Sequence, residues 1–364
     1  MDTTVEFAVP GPRARRGREQ SMTSAVGLNE EAVTAWIADL GIGALAPLTF
    51  KRIGNGQSNL TYRVTDTSGS SWVLRRPPLG HLLASAHDVA REYRIITALQ
   101  GTGVPVPKAL ALTEDPAVTD APLMLMSHVD GIVIDSIGVA KGLTPELRRA
   151  TGLSMPRALA SIHGVDLELA GLDDLASRSP FAERQLRRWT GQWEKSKTRD
   201  VPAVEELTAL LTRSIPQQTE TTLVHGDFHL SNVITSKEDG EVVAVVDWEL
   251  STLGDPLADV GALLGYWAQA DDAVTGPFVA STVDGFPSRD ELAEVYFTET
   301  GRDPAALGFW HALSLWKLAI IAEGVLRRTM DDPRNTAETG GPSVELIDDI
   351  VERARETADA AGLR

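Results

Sequence analysis

Four polar residues sit at a spacing that suits phosphoryl transfer. His225, Asp227 and Asn232 form a His-x-Asp-x4-Asn pattern inside Leu223-Val224-His225-Gly226-Asp227-Phe228-His229-Leu230-Ser231-Asn232-Val233-Ile234. Fifteen residues after Asn232, the apolar run Val243-Ala244-Val245-Val246 ends in Asp247-Trp248-Glu249. Moving a phosphoryl group onto a hydroxyl needs a carboxylate to orient the acceptor and take its proton. It also needs a hard cation on the triphosphate, and magnesium is satisfied by one or two protein oxygens plus water. Asp227 is the candidate base, and Asn232 and Asp247 are the candidate magnesium ligands. Turn formation and strand-end capping account for Asp227 and Asn232 but not for His225 or the second aspartate.

Placing these groups requires a loop between two strands and a strand end beside it. Apolar alternation predicts strands at Thr222 to Val224, Val233-Ile234 and Val242 to Val246, an island in an otherwise helical second half. Helical spacing marks Pro145 to His163, Arg184 to Glu194, Val204 to Ile215, Pro256 to Gln269, Arg289 to Glu299, Pro304 to Arg328 and Val344 to Ala360. The first half reads differently. A helix over Leu28 to Leu40, with Asn29 as N-cap, precedes short strands at Leu48 to Ile53, Leu60 to Asp66 and Ser71 to Arg76. A helix at Ala86 to Leu99 and a strand at Leu123 to Met126 follow, and Pro105 and Pro107 end the helical pattern between them.

The stretch from Leu223 to Ile234, with Val242 to Gly261 ("VVAVVDWELSTLGDPLADVG"), resembles the aminoglycoside phosphotransferase and choline kinase superfamily. Its nearest likeness is to the subgroup also found fused to acyl-CoA dehydrogenases. The resemblance spans about residues 45 to 330. It implies an α+β, two-lobed protein-kinase-like fold: a flexible tail over 1–28, a nucleotide-binding N-lobe over 29–127 and a mainly helical C-lobe over 128–364. It implies ATP or GTP as donor, with magnesium, and a small-molecule acceptor. His225 then braces the loop, and Asp259 resembles the aspartate that holds the loop's backbone, whereas Asp255 reads as a helix cap.

On the nucleotide side, alternation along Ser71-Trp72-Val73-Leu74-Arg75-Arg76 puts Val73 and Arg75 on one face. The resemblance places Val73 near the base and Arg75 at the phosphates, where the family normally has lysine; Arg76 competes for that role. Glu92 resembles the glutamate that orients the phosphate-binding cation. Gly54, Gly56 and Ser58 would lie over the phosphates, and Ser127 and Val129 would meet the base edge. On the acceptor side, Arg188 and Trp193 belong to an Arg- and Trp-rich helix, and Glu249 lies close to the metal. Trp316, Glu323 and Arg327 keep helical spacing consistent with core packing.

Composition narrows the partners. Across 364 residues the net charge is −17, which disfavours nucleic acid and would attract cations. Cysteine is absent, so disulfides and cysteine-based zinc sites are excluded, and a reducing, cytoplasmic setting is expected. No apolar run reads as a membrane span and no signal sequence is evident; Arg13, Arg15, Arg16 and Arg18 read as a solvated tail. A homodimer is compatible. The acceptor reads as a metabolite such as a hydroxyacyl-CoA, or alternatively an aminoglycoside-like compound. Two competing functions remain: a nucleotide-binding pseudokinase, suggested by Arg75 in place of lysine, and a metal-dependent hydrolase built on His225, Asp227 and His229.

Overall fold

The computed structural model describes residues 25–54, 59–79, 88–177, 179–272, 278–332 and 341–364. Most of the proposed tail, together with Gly56 and Ser58, lies outside the described residues.

In the N-lobe, α1 (Glu30–Asp39) starts at Asn29, whose side chain accepts a hydrogen bond from the Ala32 amide. The sheet contains β1 (Thr49–Ile53), β2 (Leu60–Thr65), β3 (Ser71–Arg76), β4 (Ala109–Thr113) and β5 (Leu123–Ser127) in the order β1-β2-β3-β5-β4, with every neighbouring pair antiparallel. Between β3 and β4 runs α2 (Val89–Leu99), capped by Asp88. The period-two alternation of β3 separates two cores. Trp72 and Leu74 join Val33, Ile37, Tyr62 and Val64 under α1. Val73 packs with the larger core, which includes Ile95, Ile96 and Met124.

The segment before α1 is packed, a correction to the expected tail boundary. Ala25 is buried, the Tyr62 hydroxyl donates to the Val26 carbonyl at 2.5 Å, and Arg76 donates to the Gly27 carbonyl. Chain order therefore begins ahead of Asn29.

After β5 the chain crosses to the C-lobe, where Ile132 pairs with Thr235 in an isolated antiparallel bridge. The helices are α3 (Ile137–Lys141), α4 (Pro145–His163), α5 (Phe181–Ser196), α6 (Pro202–Arg213), α7 (Leu257–Tyr266), α8 (Arg289–Thr300), α9 (Leu307–Asp331) and α10 (Val344–Ala360). Two small antiparallel ladders carry the central loop: β6 (Thr222–Val224) with β9 (Thr252–Gly254), and β7 (Val233–Thr235) with β8 (Val242–Val245).

The stretch Pro304–Asp331 has an 18-residue window of mean hydropathy 1.4 and is long and apolar enough to cross a membrane by length and composition, contrary to the sequence expectation. Half of that window is buried inside the fold, and α9 packs against α7 and α10.

Candidate active site

The loop between β6 and β7 is fastened from below by one carboxylate. Asp259, in the first turn of α7, accepts from the His225 amide at 2.6 Å and the Gly226 amide at 2.8 Å. His163 at the end of α4 reaches the same carboxylate at 3.3 Å and is itself tied to the Tyr296 hydroxyl at 2.8 Å. Burial works to raise the Asp259 pKa, but His163 and the backbone amides hold it below the usual range. Asp255 accepts from the Leu257 amide at 2.9 Å, as a helix cap does, and burial pushes its carboxyl up to about 6.

His225 braces the loop from within. Its Nε2 lies 3.0 Å from the Val246 carbonyl and its Nδ1 lies 3.3 Å from the Asp227 amide. The first contact needs a protonated Nε2 and the second an unprotonated Nδ1, so the ring is neutral, as burial also favours. Trp248 and Phe228 pack edge-on against it. Both ring nitrogens are committed to the main chain, so His225 is not a metal ligand. Among the described residues no cluster of three or more His, Cys, Asp or Glu side chains could hold a metal ion. The hydrolase reading loses its basis.

Gly226 has φ +84, and a Cβ there would lie 2.7 Å from the Leu250 carbonyl oxygen. Gly226→Ala is expected to destabilise the fold by more than about 1 kcal/mol, because strain and a backbone clash coincide. It should lower kcat as the loop shifts. Thermal melting and kinetics check this, and an unchanged melting temperature would contradict it.

Asp227 is held at the top of the loop. The Asn232 Nδ2 donates to its carbonyl at 2.8 Å and to its carboxylate at 3.2 Å. His229 Nε2 lies 3.5 Å from the carboxylate, and Tyr266, which packs on His229, feels the carboxylate's negative charge. Burial raises the Asp227 pKa, but His229 and Lys317 outweigh it and bring it down to about 2. The Tyr266 hydroxyl is pushed well up by burial and by Asp227.

Asp247 arrives beside this group because the Val246 amide donates to the Asn232 carbonyl at 3.0 Å. Its φ is +67, the one positive value for a non-glycine among the described residues. Such strain turns its side chain away from the strand's normal course and is typical of functional positions. Asn232 offers an amide oxygen just before β7 and Asp247 a carboxylate just after β8, hard donors that fit a magnesium ion.

The N-lobe meets these residues through Arg75. Its Nε lies 2.9 Å from Glu92, and its Nη2 lies 2.5 Å from Asp247 and 3.8 Å from Glu249. Burial works against the charge of Arg75, but the three carboxylates together raise its pKa. Burial pushes Glu92 up to about 7 despite Arg75, with Asp247 and Glu249 adding to the rise. The Trp248 amide also lies 3.4 Å from the Glu92 carboxylate. Asn59, directly after the segment containing Gly56 and Ser58, donates to Glu249 at 2.9 Å, so Glu249 ties the two lobes together. Gly54 follows β1 with φ +76, a conformation that favours glycine.

Arg76 points to the other face. It is 2% exposed, donates to Gly27 and Pro77, and pairs with Asp120 at 2.9 Å. Arg75→Ala is therefore expected to raise the nucleotide KM and lower kcat by tenfold or more, on the order of a lost charge-assisted contact. Arg75→Lys should recover part of both. Arg76→Ala should lower the melting temperature with little effect on nucleotide KM. Steady-state kinetics with melting curves decides; a crippling Arg76→Ala beside a mild Arg75→Ala would contradict the assignment.

Val73 lies on the same strand face as Arg75 and is partly exposed. Ser127 closes β5 by exchanging contacts with Lys108, whose amide donates to its Oγ at 2.9 Å. Val129 follows on the lobe connection, partly exposed.

On the acceptor side, packing separates core residues from surface ones. Trp193 is 2% exposed and belongs to the core with Leu186, seven residues earlier on the same face of α5. It does not reach the site. Arg188 is exposed and lies 5.4 Å over the Trp189 ring. Trp316 and Glu323 are structural: Trp316 donates to Thr208 at 2.9 Å, and Glu323 accepts from the Thr198 amide at 2.7 Å. Two groups near Asp227, Tyr266 and Lys317, were not singled out from the sequence as an acceptor site, and beside them His229, Tyr266, Phe278, Trp267, Leu263 and Ile134 line a small aromatic cavity of about 20 Å3.

A sheet-based lobe, a helical lobe and a carboxylate loop clamped between them define a kinase-like phosphotransferase architecture. Residues 49–310 match the phosphotransferase enzyme family known as APH, and the chain belongs to that family. The chain is 37% identical over 329 residues to acyl-CoA dehydrogenase family member 10 of Mus musculus, covering 89% of this chain and 30% of that protein. It is 34% identical to acyl-CoA dehydrogenase family member 11 of Rattus norvegicus over 82% of this chain and 40% of that one. The chain thus spans about 30–40% of the length of these curated relatives. A crystal structure of a candidate aminoglycoside phosphotransferase from Ralstonia eutropha JMP134 superposes with TM-score 0.72 at 33% identity, covering 92% of this chain and 97% of that one. An amicoumacin kinase solved with AMP-PNP, Ca2+ and its antibiotic shares the fold at TM-score 0.57 and 18% identity, covering 91% of this chain and 94% of that one.

Proposed function

We propose that the protein transfers the γ-phosphate of ATP or GTP to a hydroxyl of a small-molecule metabolite. The observation that carries the reading is the convergence of Asp227, Asn232 and Asp247 from one loop and one strand end, with Arg75 facing them from the other lobe. Val73 and the Ser127–Val129 connection border the nucleotide base, and Arg75 grips phosphate oxygens while Glu92 orients it. Magnesium held by Asn232 and Asp247 would screen the triphosphate charge. Asp227 accepts a hydrogen bond from the acceptor hydroxyl and aims its lone pair at the γ-phosphorus. A carboxylate of pKa about 2 is a weak base, so it takes the proton only as the new oxygen–phosphorus bond forms. The bond from γ-phosphorus to the bridging oxygen breaks, and the nucleoside diphosphate leaves with that electron pair.

The similarity to acyl-CoA dehydrogenase family members supports a metabolite such as a hydroxyacyl-CoA over an aminoglycoside-like compound. The complete set of ionisable groups favours an active enzyme over a pseudokinase. An ADP-release assay across hydroxyacyl-CoAs, aminoglycosides, choline and sugars tests this, with Asp227→Asn as control. Acceptor-dependent ADP release absent from the control is expected. Nucleotide binding with no acceptor-dependent turnover would contradict it.

A further inference from the structure

Between Leu307 and Ala322, α9 carries one Lys, Arg, Asp or Glu residue, and it is Lys317. Its neighbours Trp316 and Ile320 enter the core, whereas Lys317 turns toward α5 and is only partly exposed. Its Nζ lies 5.3 Å from the centroid of the Trp189 ring, a cation–π contact. The Trp189 Nε1 donates to Gln185 at 3.2 Å, so the indole is fixed in place beneath the ammonium.

No carboxylate among the described residues lies within ion-pair distance of Lys317. The acids acting on it through space are Asp227 and Asp259, and Asp259 already holds the loop amides and His163. Burial lowers the Lys317 pKa, the two aspartates raise it, and Arg188 adds a second positive charge nearby. Taking an ammonium partly out of water without an anionic partner is costly, and a ligand that supplies the anion recovers that cost. The contact lies where α5 packs on α9 in the C-lobe, within electrostatic reach of Asp227. The small pocket formed by Tyr266, Phe278 and His229 lies next to Asp227, with His229 3.5 Å from its carboxylate.

We propose that Lys317 selects the acceptor by charge, binding an anionic group, carboxylate or phosphate, on the molecule whose hydroxyl faces Asp227. The inference rests on the phosphotransferase reading above and adds the acceptor's charge class. A polyamine or quaternary ammonium acceptor would bring its cation against Lys317 and Arg188, so the overall negative charge of the chain does not describe this wall.

The test uses the full chain with ATP, magnesium and matched acceptors. Hydroxybutyrate against its methyl ester reads a carboxylate, and hydroxybutyryl-CoA against hydroxybutyryl-pantetheine reads the phosphates of CoA. Choline and kanamycin represent cationic acceptors. Wild type should favour the charged member of at least one pair. Lys317→Met should raise the KM for that member by about ten- to a hundredfold and bring the charged-to-neutral ratio of kcat/KM toward one. Lys317→Arg should keep much of the preference, and melting curves of both variants check folding. A uniform fall in kcat across charged and neutral acceptors would overturn the inference, because Lys317 would then serve the transferred phosphoryl group. Preferred transfer to choline or kanamycin would overturn it too. Asp227-dependent transfer indifferent to acceptor charge and to Lys317 removes this inference and leaves the phosphotransferase reading standing. Transfer to no acceptor defeats both.

Discussion

Asp227→Asn is expected to fold and bind nucleotide while losing about 10²–10⁴-fold of phosphoryl transfer, the usual contribution of a positioned acid–base group. The substitution keeps the side-chain shape, and the loop is held by contacts that it leaves in place. Asp259 grips the amides of His225 and Gly226, and His225 spans from Val246 to the Asp227 amide. Only the charge facing the acceptor is removed, together with one carboxylate oxygen beside the Asn232 amide and His229. Single-turnover assays with a saturating acceptor separate this chemical defect from binding, and nucleotide-dependent thermal shifts check the second half of the claim. Full activity in the variant would remove Asp227 from the chemistry.

The second large effect is expected at Asp247. Asp247→Ala should abolish magnesium-dependent nucleotide binding, with a loss on the order of a hundredfold or more, whereas Asn232→Ala should cost less. A carboxylate neutralises cation charge, and an amide offers only a dipole. Asp247 also pairs with Arg75 at 2.5 Å, so its loss leaves Arg75 with Glu92 and the more distant Glu249. Asn232 has a different second duty, donating to Asp227. Its removal should therefore lower kcat more than nucleotide affinity. Titration of a non-hydrolysable nucleotide with and without magnesium tests both variants. Equal, metal-independent affinities in wild type and both variants would contradict the assignment.

The catalytic loop was legible because its chemistry is contiguous in the chain. His225, Asp227 and Asn232 fall within eight residues, and the strand carrying Asp247 is a plain apolar run. Arg75 was legible for a similar reason: Trp72 and Leu74 claim one face of β3, which leaves Val73 and Arg75 to the other. The strand β4 was missed because Ala109-Leu110-Ala111-Leu112-Thr113 follows two prolines and is mostly Ala and Leu, with one β-branched residue, Thr113, at its end. Residues Thr252–Gly254 form a three-residue strand that exists only through pairing with β6, a tertiary effect.

The acceptor side was less legible, for geometric reasons. Trp193 and Trp189 are four residues apart on α5, yet one enters the core and the other lies under Lys317. A small rotation of the helix decides between them, and helical spacing alone does not fix that rotation. Lys317 lies ninety residues from Asp227, so no local pattern connects them. A lone lysine in an apolar helix was the available signal.

Phosphorus NMR of a complete reaction tests the central claim most directly. The full chain is incubated with ATP, magnesium and the acceptor that best stimulates ADP release. The account predicts a new phosphomonoester resonance that grows with ADP and is absent with Asp227→Asn. Inorganic phosphate as the only product, formed equally by wild type and variant, would contradict it.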